Sequence, residues 1–397
     1  MVGIAAATLL VTLRPRLLRS PRWRATVTPL ASIIGSGFLV AAPILGHAAG
    51  GLAVIAMAAL CAAGWLFGSA IRTNIRLAEP LLAAQPPRWL AQIDRLSDLA
   101  LLLSYFVSVS YYLNLLADFA LRTGHVGLPD ASRWLATAII AGIGLTGFTR
   151  GLHWLEDLEL PAVGIKLALI AGLTGALILA DGTALAGGTL PLVSGAALRE
   201  FGNWRVLFGL IVLVQGFETS RYLGDDYDAA LRIKTMRMAQ ILSTLIYLAF
   251  VGLATPYLGA TELRPESATE VIDLLAPLGW AVAPLIIVAA LASQFSAGVA
   301  DMSGAGGLTS ESTGRRIAPR IGYLITALVA ITITWTADIF EIIVLASKAF
   351  VIYYGLQSLT AARLSWQHGW RWRAVIYSGG VALAIAAVVL GVSAGAG

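Results

Sequence analysis

Three groups of residues in this chain are of types that can bind a solute or carry a charge in an otherwise apolar setting. The first is Ile33-Ile34-Gly35-Ser36-Gly37-Phe38-Leu39, in the middle of an apolar run over 25–48. Each glycine costs a helix about 1 kcal/mol relative to alanine. Broken backbone at membrane depth is tolerated only where protein or a wet cavity satisfies the freed N–H and C=O groups. Amides that open a half-helix then point at an anion. On this segment alone, close helix packing explains the glycines equally well. The second group is Gln215-Gly216-Phe217-Glu218-Thr219-Ser220-Arg221, another polar interruption in apolar sequence. The third is a pair of lysines, Lys166 and Lys348, inside apolar runs of a chain with 24 arginines and only three lysines. Ionisable groups at such depth are costly, and unlike arginine a buried lysine can lose its proton.

These residues need scaffolding, and composition says of what kind. Of 397 residues, 58% are hydrophobic and 12% charged, with mean hydropathy +0.81. Soluble domains carry about 25% charged residues, so this is a polytopic membrane protein. The single cysteine, Cys61, excludes an intrachain disulfide. The net charge of +5 does not imply nucleic acid, because the basic residues map onto connections between spans. Residues 2–13 are apolar but followed, not preceded, by positive charge, so no cleavable leader is expected. They are short for a span and are predicted to lie at the interface.

Apolar runs near 25–48, 51–71, 97–121, 132–149, 158–180, 204–223, 238–258, 276–300, 320–337, 339–362 and 373–394 predict eleven spans. With a cytoplasmic N-terminus, inside segments hold 19 Lys and Arg and outside segments five. That bias predicts a cell-membrane protein with its N-terminus inside and C-terminus outside. The two polar interruptions are 181 residues apart (216 against 35), and Lys166 and Lys348 are 182 apart. Five spans per half is an odd number, so a repeat at this offset runs inverted through the bilayer. Interrupted helices at corresponding places point to a solute site at the midplane. The predicted organisation is an N-terminal segment 1–24, a first repeat 25–180, a second repeat 204–362 and an accessory span 373–394.

On these residues the chain resembles the amino acid–polyamine–organocation (APC) superfamily of secondary transporters. Ile34-Gly35-Ser36-Gly37-Phe38-Leu39 is similar to that family's first-helix signature, and Gly216-Phe217-Glu218 to the Gly-Phe-Glu of its broken sixth helix. Gly164-Ile165-Lys166 is similar to the fifth helix of members whose lysine stands where sodium-coupled relatives bind sodium. Two features depart from the pattern. Val212 stands where members often carry an aromatic gate, and Ser310-Glu311-Ser312-Thr313-Gly314-Arg315-Arg316 is only loosely similar to the Arg-containing segment after the eighth helix.

The resemblance implies an all-α, LeuT-type 5+5 inverted-repeat bundle with one added C-terminal helix. It implies secondary transport of amino acids or related amines, coupled to protons or to exchange and independent of sodium. A substrate carboxylate would meet the amides around Ile33, Gly35, Ser36 and Gly37. Its ammonium would meet carbonyls freed near Val212, Leu213, Gln215 and Gly216. Phe217 and the third helix would finish the pocket. In that helix Ser104, Ser108 and Tyr112 recur at i, i+4 and i+8, beside Tyr105. Lys166, Glu218, Ser293 and Ser296 would serve coupling.

Plainer readings stand beside these. Lysines snorkel, tyrosines anchor span ends, serines bond back to their own helix, and Glu218 pairs with Arg221 three residues on. His47, His125, His153 and His368 fall near span ends or in connections, and Asp225, Asp226 and Asp228 read as a solvated loop, so no metal site is expected. The expected partners are a small-molecule substrate, protons and the lipid bilayer, with no nucleic acid and no cofactor. Carriers of a nucleobase, metal ion or potassium share the architecture, as would a non-transporting nutrient sensor. An intramembrane enzyme would need paired carboxylates or a histidine cluster at depth, and the sequence offers neither.

Overall fold

A computed structural model describes residues 2–122, 130–152, 159–188, 201–224, 226–259, 269–276, 279 and 282–394. Helices are the only extended regular structure among them, as lipid demands, because a helix satisfies its backbone within one segment. In order they are α1 (Val2–Thr12), α2 (Pro15–Leu18), α3 (Pro21–Ser36), α4 (Phe38–Ala49), α5 (Ala53–Ala83), α6 (Arg88–Leu121) and α7 (Ala131–Arg150). There follow α8 (Glu159–Ala186), α9 (Phe201–Gly209), α10 (Ala229–Ala254), α11 (Val271–Leu275), α12 (Val282–Ser312), α13 (Pro319–Thr336), α14 (Ile339–Gln367) and α15 (Arg371–Leu390). Local chemistry sets several starts. Pro21 and Pro319 occupy the first turns of α3 and α13. Asp338 and Glu341 form a reciprocal capping box at α14.

Nine stretches among the described residues are long and apolar enough to cross a membrane. One of them, Phe38–Ala83, is 46 residues long and turns at Gly50, whose φ is 52°. Its α4 part belongs to the first span and α5 is the second. The expected first and sixth spans are broken into shorter pieces, and with the nine they make eleven. Several helices outrun the apolar runs that predicted them. The third begins at Arg88 rather than near 97, and the eighth continues past 300 to Ser312. Polar residues such as Asp94 and Glu311 extend a helix freely once it has left the hydrocarbon.

The packing follows the inverted repeat. Counterparts in the two halves touch: α5 packs on α10, α6 on α12, and α7 on α13. Cross-pairs recur too, with α6 on α14 matched by α12 on α8, and α5 on α14 by α10 on α8. The accessory α15 lies against α14 and also meets α5 and α9.

The N-terminal helix corrects an expectation. Rather than lying flat at the interface, α1 runs antiparallel along α8, with Thr12 beside Gly164 and Ile4 beside Gly175. Two glycines on the face of α8 admit that approach, so the apolar α1 buries itself against a spanning helix.

Candidate substrate and coupling site

The two interruptions differ in extent. The first is a single residue: α3 ends at Ser36, Gly37 departs from helical hydrogen bonding (φ −110°, ψ −12°), and α4 begins at Phe38. The expected unwinding over Gly35–Gly37 is therefore narrower than predicted, because Gly35 and Ser36 remain helical. The Ser36 side chain lies outside the described set. The second interruption is long. After Gly209 the chain makes a 3₁₀ turn at Ile211–Val214, an extended Gln215, and a left-handed Gly216 (φ 115°). A second 3₁₀ segment, Phe217–Tyr222, follows.

The two breaks touch. A Cβ built at Gly37 would lie 2.6 Å from the Leu213 carbonyl oxygen, and one at Gly216 would lie 2.6 Å from the Ile33 nitrogen. No side chain fits at either place without backbone movement. Across the contact, the Tyr247 hydroxyl of α10 lies 2.9 Å from the Ile33 carbonyl oxygen and 2.5 Å from that of Leu213. One phenol thus bridges carbonyls freed by both interruptions. The carbonyls expected to greet an ammonium are partly engaged in this conformation: Leu213 by Tyr247, and Val212 by the Gln215 amide at 3.2 Å. The Val212 amide donates to Ser347 Oγ at 3.2 Å.

Around the second break the structure assembles a buried polar network. Glu218 Oε2 accepts from the Gly216 amide at 2.9 Å and from the Tyr354 hydroxyl at 2.8 Å, while its Oε1 is buried with no donor among the described residues. Glu218 does not pair with Arg221, which instead bonds Asp94 of α6. Spacing does not explain the difference, since i and i+3 side chains also align in a 3₁₀ segment; the long-range partners that each group meets decide it. Gln215 donates to the Tyr112 hydroxyl. Phe217 stacks on Tyr354 at 5.0 Å between ring centroids, so its ring is engaged by a neighbouring aromatic. Ser104 bonds back to Ala100 at 2.7 Å, the plainer reading for a helix serine, whereas Ser108 donates to Asp301 of α12.

Lys166 is 1% exposed. Its ammonium donates to the Ala31 carbonyl at 3.3 Å and lies 3.7 Å from where a Gly35 Cβ would stand. Ser293 of α12 donates to the Gly35 carbonyl at 2.9 Å. Two carbonyls of the first span are thus met by donors from the fifth and eighth. Ser296 is half-buried and contributes no hydrogen bond among the described residues, so the structure does not bring it into this group. Lys348, the counterpart of Lys166 in the repeat, is half-buried, and Glu341 is occupied in the α14 cap. His125, His153 and Asp225 lie outside the described residues, and among those described no group of His, Cys, Asp or Glu could hold a metal ion. Asp228 caps α10, accepting from the Leu231 amide at 2.8 Å.

Sequence reasoning missed Tyr247, Tyr354 and Asp301. Asp301 is 3% exposed. It was legible in principle as an acid within an apolar helix, but the predicted eighth span stopped one residue short of it. The tyrosines carry no local signal. Beyond the network, a cavity of about 900 Å³ opens at the arginine-rich end of the bundle, lined by Asp94, Asp98, Glu311, Arg95 and Arg316. Tyr222, which ends the second 3₁₀ segment, reaches Asp98 at 3.4 Å. Two acids of this lining, Asp94 and Asp98, thus bond the second 3₁₀ segment through Arg221 and Tyr222.

Comparison with known proteins agrees with this geometry. An uncharacterized protein of Aquifex aeolicus (strain VF5) is 40% identical over 365 residues, covering 90% of this chain and 88% of its own. Mhp1, a nucleobase-cation-symport-1 family transporter solved with bromovinylhydantoin bound, superposes with a TM-score of 0.53 at 14% identity, over 92% of this chain and 91% of its own. A Na⁺-coupled sialic acid symporter gives 0.53 at 15% over 98% and 96%. A manganese transporter of Eremococcus coleocola gives 0.54 at 13% over 94% and 87%. At such identities these three show the LeuT-type fold alone. A family model described as APC superfamily transporter matches residues 15–391, and the chain belongs to that family of membrane transporters.

Proposed function

We propose that this chain is a secondary transporter of amino acids or related amines, driven by protons or by exchange and independent of sodium. The observation that carries the coupling half is the seating of Lys166 against the first broken helix, with Ala31 as its carbonyl acceptor. An ammonium donates to the same kind of oxygen that would ligate Na⁺, and an ionisable group buried at membrane depth is functional by default. With Ser293 on Gly35, two carbonyls of that stretch already have donors. A sodium ion would have to displace both.

The substrate half rests on the acceptors around the second break. Glu218 Oε1 has no donor among the described residues, and a buried carboxylate left so costs several kcal/mol unless protonated or met by a cation. Asp301, buried on the facing helix, adds another acceptor. A substrate that brings N–H donors suits these groups; one that brings only acceptors does not. Main-chain groups at both breaks, freed as the backbones part, would hold its other end.

Reconstitution in proteoliposomes tests the reading. Counterflow of radiolabelled amino acids or amines is expected, accumulation is expected to follow an imposed pH gradient, and replacing sodium with choline is expected to leave it unchanged. Strict sodium dependence would overturn the coupling assignment. Saturable binding without counterflow would make the protein a receptor rather than a carrier.

A further inference from the structure

A second polar cavity lies away from both breaks, among α5, α10 and α15. Its volume is about 380 Å³, and four arginines line it: Arg72, Arg76, Arg237 and Arg373. No carboxylate is among the described residues lining it. Several arginines elsewhere are matched to acids, as in Arg122–Asp273, Arg221–Asp94 and Arg232–Glu79. Among the described residues, none of the four cavity arginines takes part in an ion pair.

Arg72 is the one that most needs a counter-charge, because it is only 6% exposed. It donates to Gln240 and lies 4.7 Å over the Trp65 ring. Both partners are neutral, so its charge is oriented but not balanced. Beside it, the hydroxyls of Thr73 and Tyr377 bond at 2.7 Å. Four arginines lining one cavity, with hydroxyls alongside, match one common chemistry, a phosphate oxyanion, which guanidinium binds through paired N–H donors.

The rim identifies the source of that phosphate. It is formed by Trp372, which is 75% exposed, and Ile376, which is 38% exposed, both on the accessory α15. Exposed tryptophan and isoleucine at the end of a spanning helix meet the headgroup and acyl region of a bilayer. A soluble phosphate has no use for such a rim, whereas a phospholipid places its phosphate on the arginines and its chains along the apolar residues. Basic pockets between spans take anionic headgroups in this way. We propose that this cavity binds the phosphate of an anionic phospholipid, which joins α15 to α5 and α10.

The test uses native mass spectrometry of the full-length protein purified in detergent with equimolar phosphatidylglycerol and phosphatidylcholine. The parent is expected to retain phosphatidylglycerol over phosphatidylcholine by about tenfold or more. The triple variant Arg76→Gln/Arg237→Gln/Arg373→Gln removes only exposed side chains and spares buried Arg72; its preference is expected to fall to about twofold or less. A control with equal charge loss, Arg14→Gln/Arg16→Gln/Arg19→Gln, is expected to keep the parent's preference. Inorganic phosphate in large excess is expected to leave the lipid in place. Equal retention of both lipids, or an undiminished preference in the triple cavity variant, would overturn the proposal. Displacement by inorganic phosphate would overturn its lipid source.

Discussion

Gly37 and Leu213 lie so close that a Cβ on the glycine would stand 2.6 Å from the Leu213 carbonyl oxygen. The contact joins the two interrupted spans at backbone level, so relative movement of the halves must open or reshape it. Gly37→Ala is expected to lower thermal stability by about 1–3 kcal/mol, the usual cost of overpacking, and to abolish substrate binding. Gly35→Ala is the matched control. Its Cβ would meet the Ala297 Cβ at 3.3 Å, a smaller clash that a slight shift relieves. Thermal-shift curves on the purified variants check both, and equal midpoints for Gly37→Ala and the parent would contradict the contact.

Tyr247 supplies a second test of the same junction. Its hydroxyl is the donor shared by Ile33 and Leu213. Tyr247→Phe keeps the ring and leaves two buried carbonyls short of a donor, at an expected cost of about 1–3 kcal/mol. A midpoint unchanged from the parent, measured in the same detergent, would show that the phenol is not what holds the junction.

For coupling, Lys166→Ala leaves the Ala31 carbonyl without this donor, and Lys166→Arg retains a charge that cannot be shed. Both variants are expected to lose at least about tenfold of pH-gradient-driven uptake, the effect of roughly 1.4 kcal/mol. Counterflow under equal pH on both sides separates the possibilities. If it survives in Lys166→Arg, the lysine's titration drives accumulation, whereas full accumulation in Lys166→Ala would remove the residue from the coupling step.

Asp301 and Ser108 form a hydrogen-bonded pair between the eighth and third spans. Asp301→Asn preserves size and bonding capacity but fixes the group neutral. If Asp301 exchanges a proton during the cycle, the variant is expected to keep counterflow and to lose the response to external pH over the range in which the parent shows one. Ser108→Ala should instead weaken substrate affinity with the pH response retained. Uptake measured across that range in both variants, with indistinguishable profiles, would assign the pair a purely structural role.

The two interruptions and the buried lysine of the candidate site could be read in the chain before any coordinates. Gly37 and Gly216 announce themselves because a glycine pair and a Gly-Phe-Glu run interrupt long apolar stretches, and Lys166 because charge is rare there. The partners of those residues were not legible. Arg221 reads locally as a mate for Glu218, yet it bonds Asp94, 127 residues earlier. The extent of each interruption was also hidden, since one glycine pair yields a single-residue break and one glycine yields a long one. That difference reflects what packs against each segment rather than its own propensity.

By itself the sequence determined the all-helical membrane class, the eleven apolar runs and the 181-residue offset between interruptions. The first two depend on composition within about 20 residues and on the bilayer's demand for internally bonded backbone, and the offset on comparing two such local signals. Tertiary structure alone decided which donors meet the freed carbonyls, that Tyr247 bridges both breaks, that α1 packs along α8, and that four arginines share one cavity. Those outcomes join residues up to some 300 positions apart, as Arg72 and Arg373 do. Only tertiary packing brings such residues together, and no local pattern encodes it.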